Sequence, residues 1–139
     1  MDSSNLEQNS AISRLCKDIL SSNECIFFVS SLNNHGRVIE SQFRNDRIFK
    51  KMTPQETEMF FMQRTLQTSL SREFDDLIGP LDFITVQRET FLEFIFPYSE
   101  GLLLIVAELD VIHRFLAKKI SFIIQDFEWK KRSLFMCNA

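Results

Sequence analysis

At 139 residues, with 45% hydrophobic and 25% charged side chains, the chain has the composition of a globular domain that buries a core without disulfide or metal staples, which excludes wholesale disorder. Its net charge of -3 provides no overall field for a polyanion, so nucleic acid is disfavoured as a default partner. Fifteen Phe against one Trp and one Tyr leave most rings without a polar tip, and such rings belong in a core or against a partner.

In chain order, residues 1–5 are polar and expected to fray. From about Leu6 to Leu20, the residues Ile12, Leu15, Cys16, Ile19 and Leu20 share one side of a helical wheel, which predicts a first amphipathic helix. Cys25 to Val29 is an apolar run typical of a strand covered on both faces, and the turn Asn33-Asn34-His35-Gly36 joins it to Val38 to Phe43, a mixed-polarity edge strand. Arg44 to Met52 reads as a connection that leaves the sheet.

Thr53, Pro54 and Glu56 then combine a hydroxyl N-cap, proline at the first helical position and glutamate three residues after the cap, the pattern of a capping box. In the helix that follows, Met59, Met62, Leu66, Leu70 and Phe74 form one stripe and are expected to face the sheet. Phe61 lies roughly 160 to 200° from the centre of that stripe. Lying among Glu58, Thr65, Thr68 and Arg72, it is expected to project away from the sheet.

Gly79 and Pro80 close this segment. In Phe83 to Arg88, Ile84 and Val86 alternate with Thr85 and Gln87, the pattern of a second edge strand, whereas Phe91 to Phe96 and Leu102 to Ala107 are central strands joined by a hairpin at Pro97 to Gly101. Asp110 is expected to cap a last helix running to about Lys131, with Ile112, Leu116, Ile120, Ile123 and Phe127 as its core stripe. Val111, Phe115, Phe122 and Trp129 flank that stripe, making the apolar arc wider than one sheet contact needs. Residues 133–139 are expected to form a flexible tail.

The elements predict an α+β protein of order α-β-β-α-β-β-β-α: one domain spanning residues 1–139, a five-stranded antiparallel sheet with helices on both faces. This order resembles the roadblock family, the dynein light-chain type, within the profilin-like group. The resemblance runs from about Leu6 to Lys131 and rests on the element order, on the hairpin Asn33-Asn34-His35-Gly36-Arg37-Val38-Ile39, and on Leu102 to Ala107 preceding the last helix. Where the family's turn usually carries an aspartate, this chain has Asn33 or Asn34. The chain is also similar to short archaeal proteins of this build. The resemblance implies dimers joined through the third strands and middle helices, and attachment to small GTPases or to motor and scaffold complexes. Phe61, Arg64, Thr68, Ile84, Thr85, Val86, Gln87 and Arg88 are accordingly the expected dimer or partner interface.

Catalytic chemistry finds little support. The glycines Gly36, Gly79 and Gly101 are isolated, so no phosphate cradle is predicted, and His35 and His113 lack companions at metal-ligand spacing. Asp75 and Asp76 read as solvent-facing groups at a helix exit, and no serine lies in a nucleophile-elbow pattern. No enzyme activity, cofactor or metal is expected. Cys16, Cys25 and Cys137 have no redox or ligand spacing, and no apolar run approaches the ~18 residues needed to cross a bilayer, which suggests a cytoplasmic protein.

The reading is thus a non-enzymatic homodimeric adaptor or regulator in signalling, a platform for a small GTPase or another signalling protein. Two other classes compete with it. One is a sensor enclosing a small apolar ligand between the sheet and the middle helix, lined by Met52, Met59 and Met62. The other is a nucleic-acid or anionic-membrane contact through Lys130, Lys131 and Arg132 with Trp129 and Phe135.

Overall fold

The computed structural model describes the backbone of residues 3–137 and the side chains of residues 6–133. Its elements are α1 (Ser3–Ser21), β1 (Ile26–Leu32), β2 (Val38–Phe43), a 3-10 turn (Phe49–Lys51), α2 (Pro54–Arg72), the single-turn α3 (Asp75–Ile78), β3 (Ile84–Gln87), β4 (Leu92–Tyr98), β5 (Gly101–Ala107) and α4 (His113–Cys137). The strands form one antiparallel sheet in the order β2-β1-β5-β4-β3. Both runs expected at the edges are at the edges, and the two apolar runs expected at the centre occupy it.

Period-2 alternation divides the apolar residues between two layers. Leu103, Ile105 and Ala107 of β5 pack with Leu92, Phe94 and Phe96 of β4 against Ile12, Leu15, Cys16 and Ile19 of α1 and Leu116, Ala117, Ile120 and Ile124 of α4. Leu102, Leu104 and Val106 face the other way, into a cluster with Phe27, Phe28, Phe60, Phe61 and Ile95. A register shift between Ile26 and Phe28 puts both Phe27 and Phe28 in this second cluster, where strict alternation would have separated them. Cys16 lies in the first layer, where burial, and then the charge of Glu40, push its thiol up to about 12. It is a small apolar filler.

Polar side chains fix the joints between elements. Arg44 donates to the carbonyls of Leu20, Asn23, Glu24 and Ile26, so one guanidinium fastens the end of α1 and the start of β1 to the end of β2. In the first hairpin, Asn33 Oδ1 accepts from the backbone N–H groups of His35 and Arg37. Asparagine thus supplies the side-chain turn that an aspartate would make. Gly36 adopts φ +79° there, and a Cβ on it would lie 2.6 Å from Met62 Sδ, so glycine lets the hairpin press against α2.

Several boundaries differ from expectation. The chain is helical from Ser3 and again through to Cys137, so residues 3–5 and 133–137 continue helices; residues 1, 2, 138 and 139 lie outside the described residues. Asp110 is not the cap of α4, which starts three residues later at His113. Ile112 is exposed, and Ala117 and Ile124 take part in the buried stripe instead.

Candidate partner-binding interface

The helix α2 begins as its sequence predicts. Thr53 Oγ1 accepts from the Glu56 N–H and the Glu56 carboxylate accepts from the Thr53 N–H, closing the capping box ahead of Pro54. Hydrogen bonding from the Thr53 backbone N–H first, and then from its side chain, holds the Glu56 carboxyl below its usual range.

The rotation of α2 about its axis is opposite to the expected one. Phe61 is only 7% exposed: it stacks parallel to Phe28 with ring centroids 6.3 Å apart and meets Phe49 at 5.9 Å. Arg64 and Thr68 are buried as well, facing the sheet with Phe60 and Thr65. Met59, Met62, Leu66 and Leu70, expected to meet the sheet, are instead 61%, 50%, 60% and 53% exposed.

The reason lies on β4. Glu93 is completely buried on the face that α2 covers, where Arg64 reaches it through Nε–Oε1 at 2.6 Å and Nη2–Oε2 at 3.0 Å. Arg88 adds a contact to Oε2 at 3.3 Å from the more exposed side. A buried carboxylate without a cation would be strongly destabilising, so the helix must present Arg64 to the sheet. Arg64 also lies over the Phe60 ring at 4.7 Å. The Thr65 and Thr68 hydroxyls donate to the carbonyls of Phe61 and Arg64, one turn back, so both enter the layer with their donors satisfied.

Of the residues assigned to the interface from sequence, Phe61, Arg64 and Thr68 therefore hold α2 onto its own sheet. Ile84, Thr85, Val86 and Gln87 form the edge strand β3, whose outer side has no neighbouring strand among the described residues, and Arg88 follows it. Sequence reasoning passed over the outer α2 row. Further along the chain, Phe74, Leu77 and Ile78 are exposed as well. Among the described residues, Phe60, Phe61 and the Arg64–Glu93 pair fill the layer where a Met-lined pocket was expected: Met59 is exposed, Met62 lies half-exposed against the Gly36 turn, and Met52 packs against the cluster's margin.

No protein-family model matches the sequence, and no curated protein resembles it in sequence. Solved structures do resemble it in fold. A roadblock/LC7 domain from Streptomyces avermitilis superposes with TM-score 0.66 at 13% identity, over 86% of this chain and 97% of that one. MglB of Myxococcus xanthus gives 0.65 at 14% identity over 88% and 91%. An MglB solved in a tetrameric arrangement gives 0.56 at 10% identity over 91% and 95%. With its α+β element order and its five-stranded antiparallel sheet, the chain has the fold of roadblock/LC7 domains.

Proposed function

We propose that the chain is a non-enzymatic homodimeric adaptor or regulator whose two copies join β3 to β3 and pack their outer α2 rows together. The observation that carries this reading is the exposed row Met59, Leu66 and Leu70 of α2, with Met62 half-exposed on it and Leu77 and Ile78 of α3 at 78% and 83% exposure, in a molecule whose sheet ends at the edge strand β3. Large apolar rows rimmed by polar residues mark interaction sites, and an edge strand offers unpaired backbone groups to a second copy. The short, alternating β3 suits this role, since Ile84 and Val86 turn inward to the layer under α2. Self-association of a neighbouring fold in tetrameric form supports the same reading.

A small GTPase or another signalling protein is the partner class we assign to the dimer, on the strength of the roadblock-type fold. The decisive experiment is the solution mass by light scattering of wild type and Leu66→Asp. A wild-type dimer that becomes a folded monomer on substitution supports the interface, whereas a monomeric wild type rejects it. Phe61→Asp serves as the contrast, because a carboxylate in the Phe28–Phe49 cluster is expected to unfold the protein and not merely to divide it. Binding of small GTPases loaded with GDP or with a non-hydrolysable GTP analogue, measured by interferometry, checks the partner class. No binding in either state rejects it.

A further inference from the structure

The dimer reading leaves one face unused, on the opposite side of the sheet. Along the outside of α4, Phe115, Phe122 and Trp129 are 76%, 61% and 68% exposed. They recur every seven residues, a spacing of about 10 Å, and so form a straight ridge of rings about 21 Å long. Helix α1 packs beside α4 and leaves these rings uncovered.

Charge surrounds the ridge. Helix α4 carries Arg114, Lys118, Lys119, Lys130, Lys131 and Arg132 against Asp126 and Glu128, a net of +4 in a chain whose total is -3. On a wheel of about 100° per residue, Arg114, Lys118 and Arg132 border one side of the rings, and on the other are Lys119, which donates to the Ser22 carbonyl, and Asp126, paired with Lys130. Among the described residues, Arg114 and Lys118 have no ion pair. The α2–α3 segment, Pro54–Ile78, has five carboxylates against Arg64 and Arg72. The two helical layers are thus of opposite sign, the acidic one bearing the proposed dimer row and the basic one bearing the rings.

We propose that the outer face of α4 docks on an anionic lipid bilayer, with Phe115, Phe122 and Trp129 at the headgroup level and the flanking lysines and arginines on acidic headgroups. A single row of rings bordered by cations is the pattern of an interfacial helix, whose basic side chains extend their apolar stems along the ridge and their charges toward the headgroups. A helical protein partner would require a second apolar row for a coiled-coil seam, and the positions that would supply it are Lys118 and Gln125 on one side, Lys119 and Asp126 on the other. Single-stranded nucleic acid stacks its bases on closely spaced rings, and a spacing of about 10 Å exceeds one stacking step. Docked this way, the acidic α2 layer faces away from the membrane.

Trp129 is the only tryptophan and is itself in the ridge, so its fluorescence reads the contact directly. The full chain is titrated with vesicles of phosphatidylcholine and with vesicles of phosphatidylcholine mixed with phosphatidylserine, following emission and co-sedimentation. The expected result is a blue shift and sedimentation only with the phosphatidylserine vesicles, reversed by salt. Affinity should fall at least ~10-fold in the double variant Phe115→Ser, Phe122→Ser and separately in Lys118→Glu, each with circular dichroism and melting unchanged because these side chains are exposed. No shift, equal affinity for both vesicle types, or binding to a single-stranded oligonucleotide in place of vesicles would each overturn the proposal.

Discussion

A carboxylate fully buried in a strand covered on both faces must find a cation, and Glu93, the second residue of β4, finds Arg64 in a two-pronged contact while Arg88 approaches from the open side. The pair is better understood as fixing an orientation than as a net source of stability, because desolvating both ions offsets much of their attraction. Removing one partner is different, since it strands the other charge. Glu93→Ala is expected to destabilise by about 3–5 kcal/mol, and the double variant Arg64→Met, Glu93→Leu to return close to wild type. Urea denaturation of both variants checks this, and equal losses in the single and double variants would mean that packing, not charge, dominates the site. In the double variant the constraint on α2 rotation is relaxed, so the exposure of the Met59–Met62 row becomes the more informative readout.

Elements begin and end here largely through local chemistry. The capping box, the proline after it and the Asn33 turn were each legible in the sequence, because each needs only residues within a few positions of one another. Thr53→Ala should lower stability by about 1 kcal/mol. Glu56 brings a pH dependence. Its carboxyl is held down by bonds from Thr53, so its contribution is complete above the unfolded value of 4.5 and is lost as pH falls through the lower folded value. Glu56→Gln should remove that part of the acid limb, which thermal melts across the acidic range would reveal. Helix faces, by contrast, were not legible. Both sides of α2 carry large apolar residues, so periodicity alone finds two candidate inner faces and favours the one with the longer row.

At the scale of the molecule, one sheet carries two helical layers of opposite charge, each with apolar side chains facing outward. Five exposed residues of α2 and its extension, Met59, Met62, Leu66, Leu70 and Phe74, would have formed a good monomeric core stripe had the helix been turned about. Their placement outside is stable if a second copy covers them. Folding and dimerisation are then linked, so the melting temperature of wild type should fall by roughly 1–3 °C per tenfold dilution. Leu66→Asp should melt at a temperature independent of concentration, and a wild type that behaves the same way would reject the shared interface.

The sequence by itself determined the order of elements, the two central and two edge strands, the hairpin turns and the start of α2. These depend on the alternation of side chains along a strand and on hydrogen bonds between near neighbours, which the linear order contains. Only the tertiary structure decided which face of α2 meets the sheet, because that choice belongs to a contact between Arg64 and Glu93, twenty-nine positions apart. It likewise decided that Phe61 is core and the methionine row is surface, and that Phe115, Phe122 and Trp129 find no cover from α1. A wheel drawn from the sequence gives the angles between side chains on one helix, but the zero of that angle is set by the partner surface, and one buried charge was enough to turn it by half a circle.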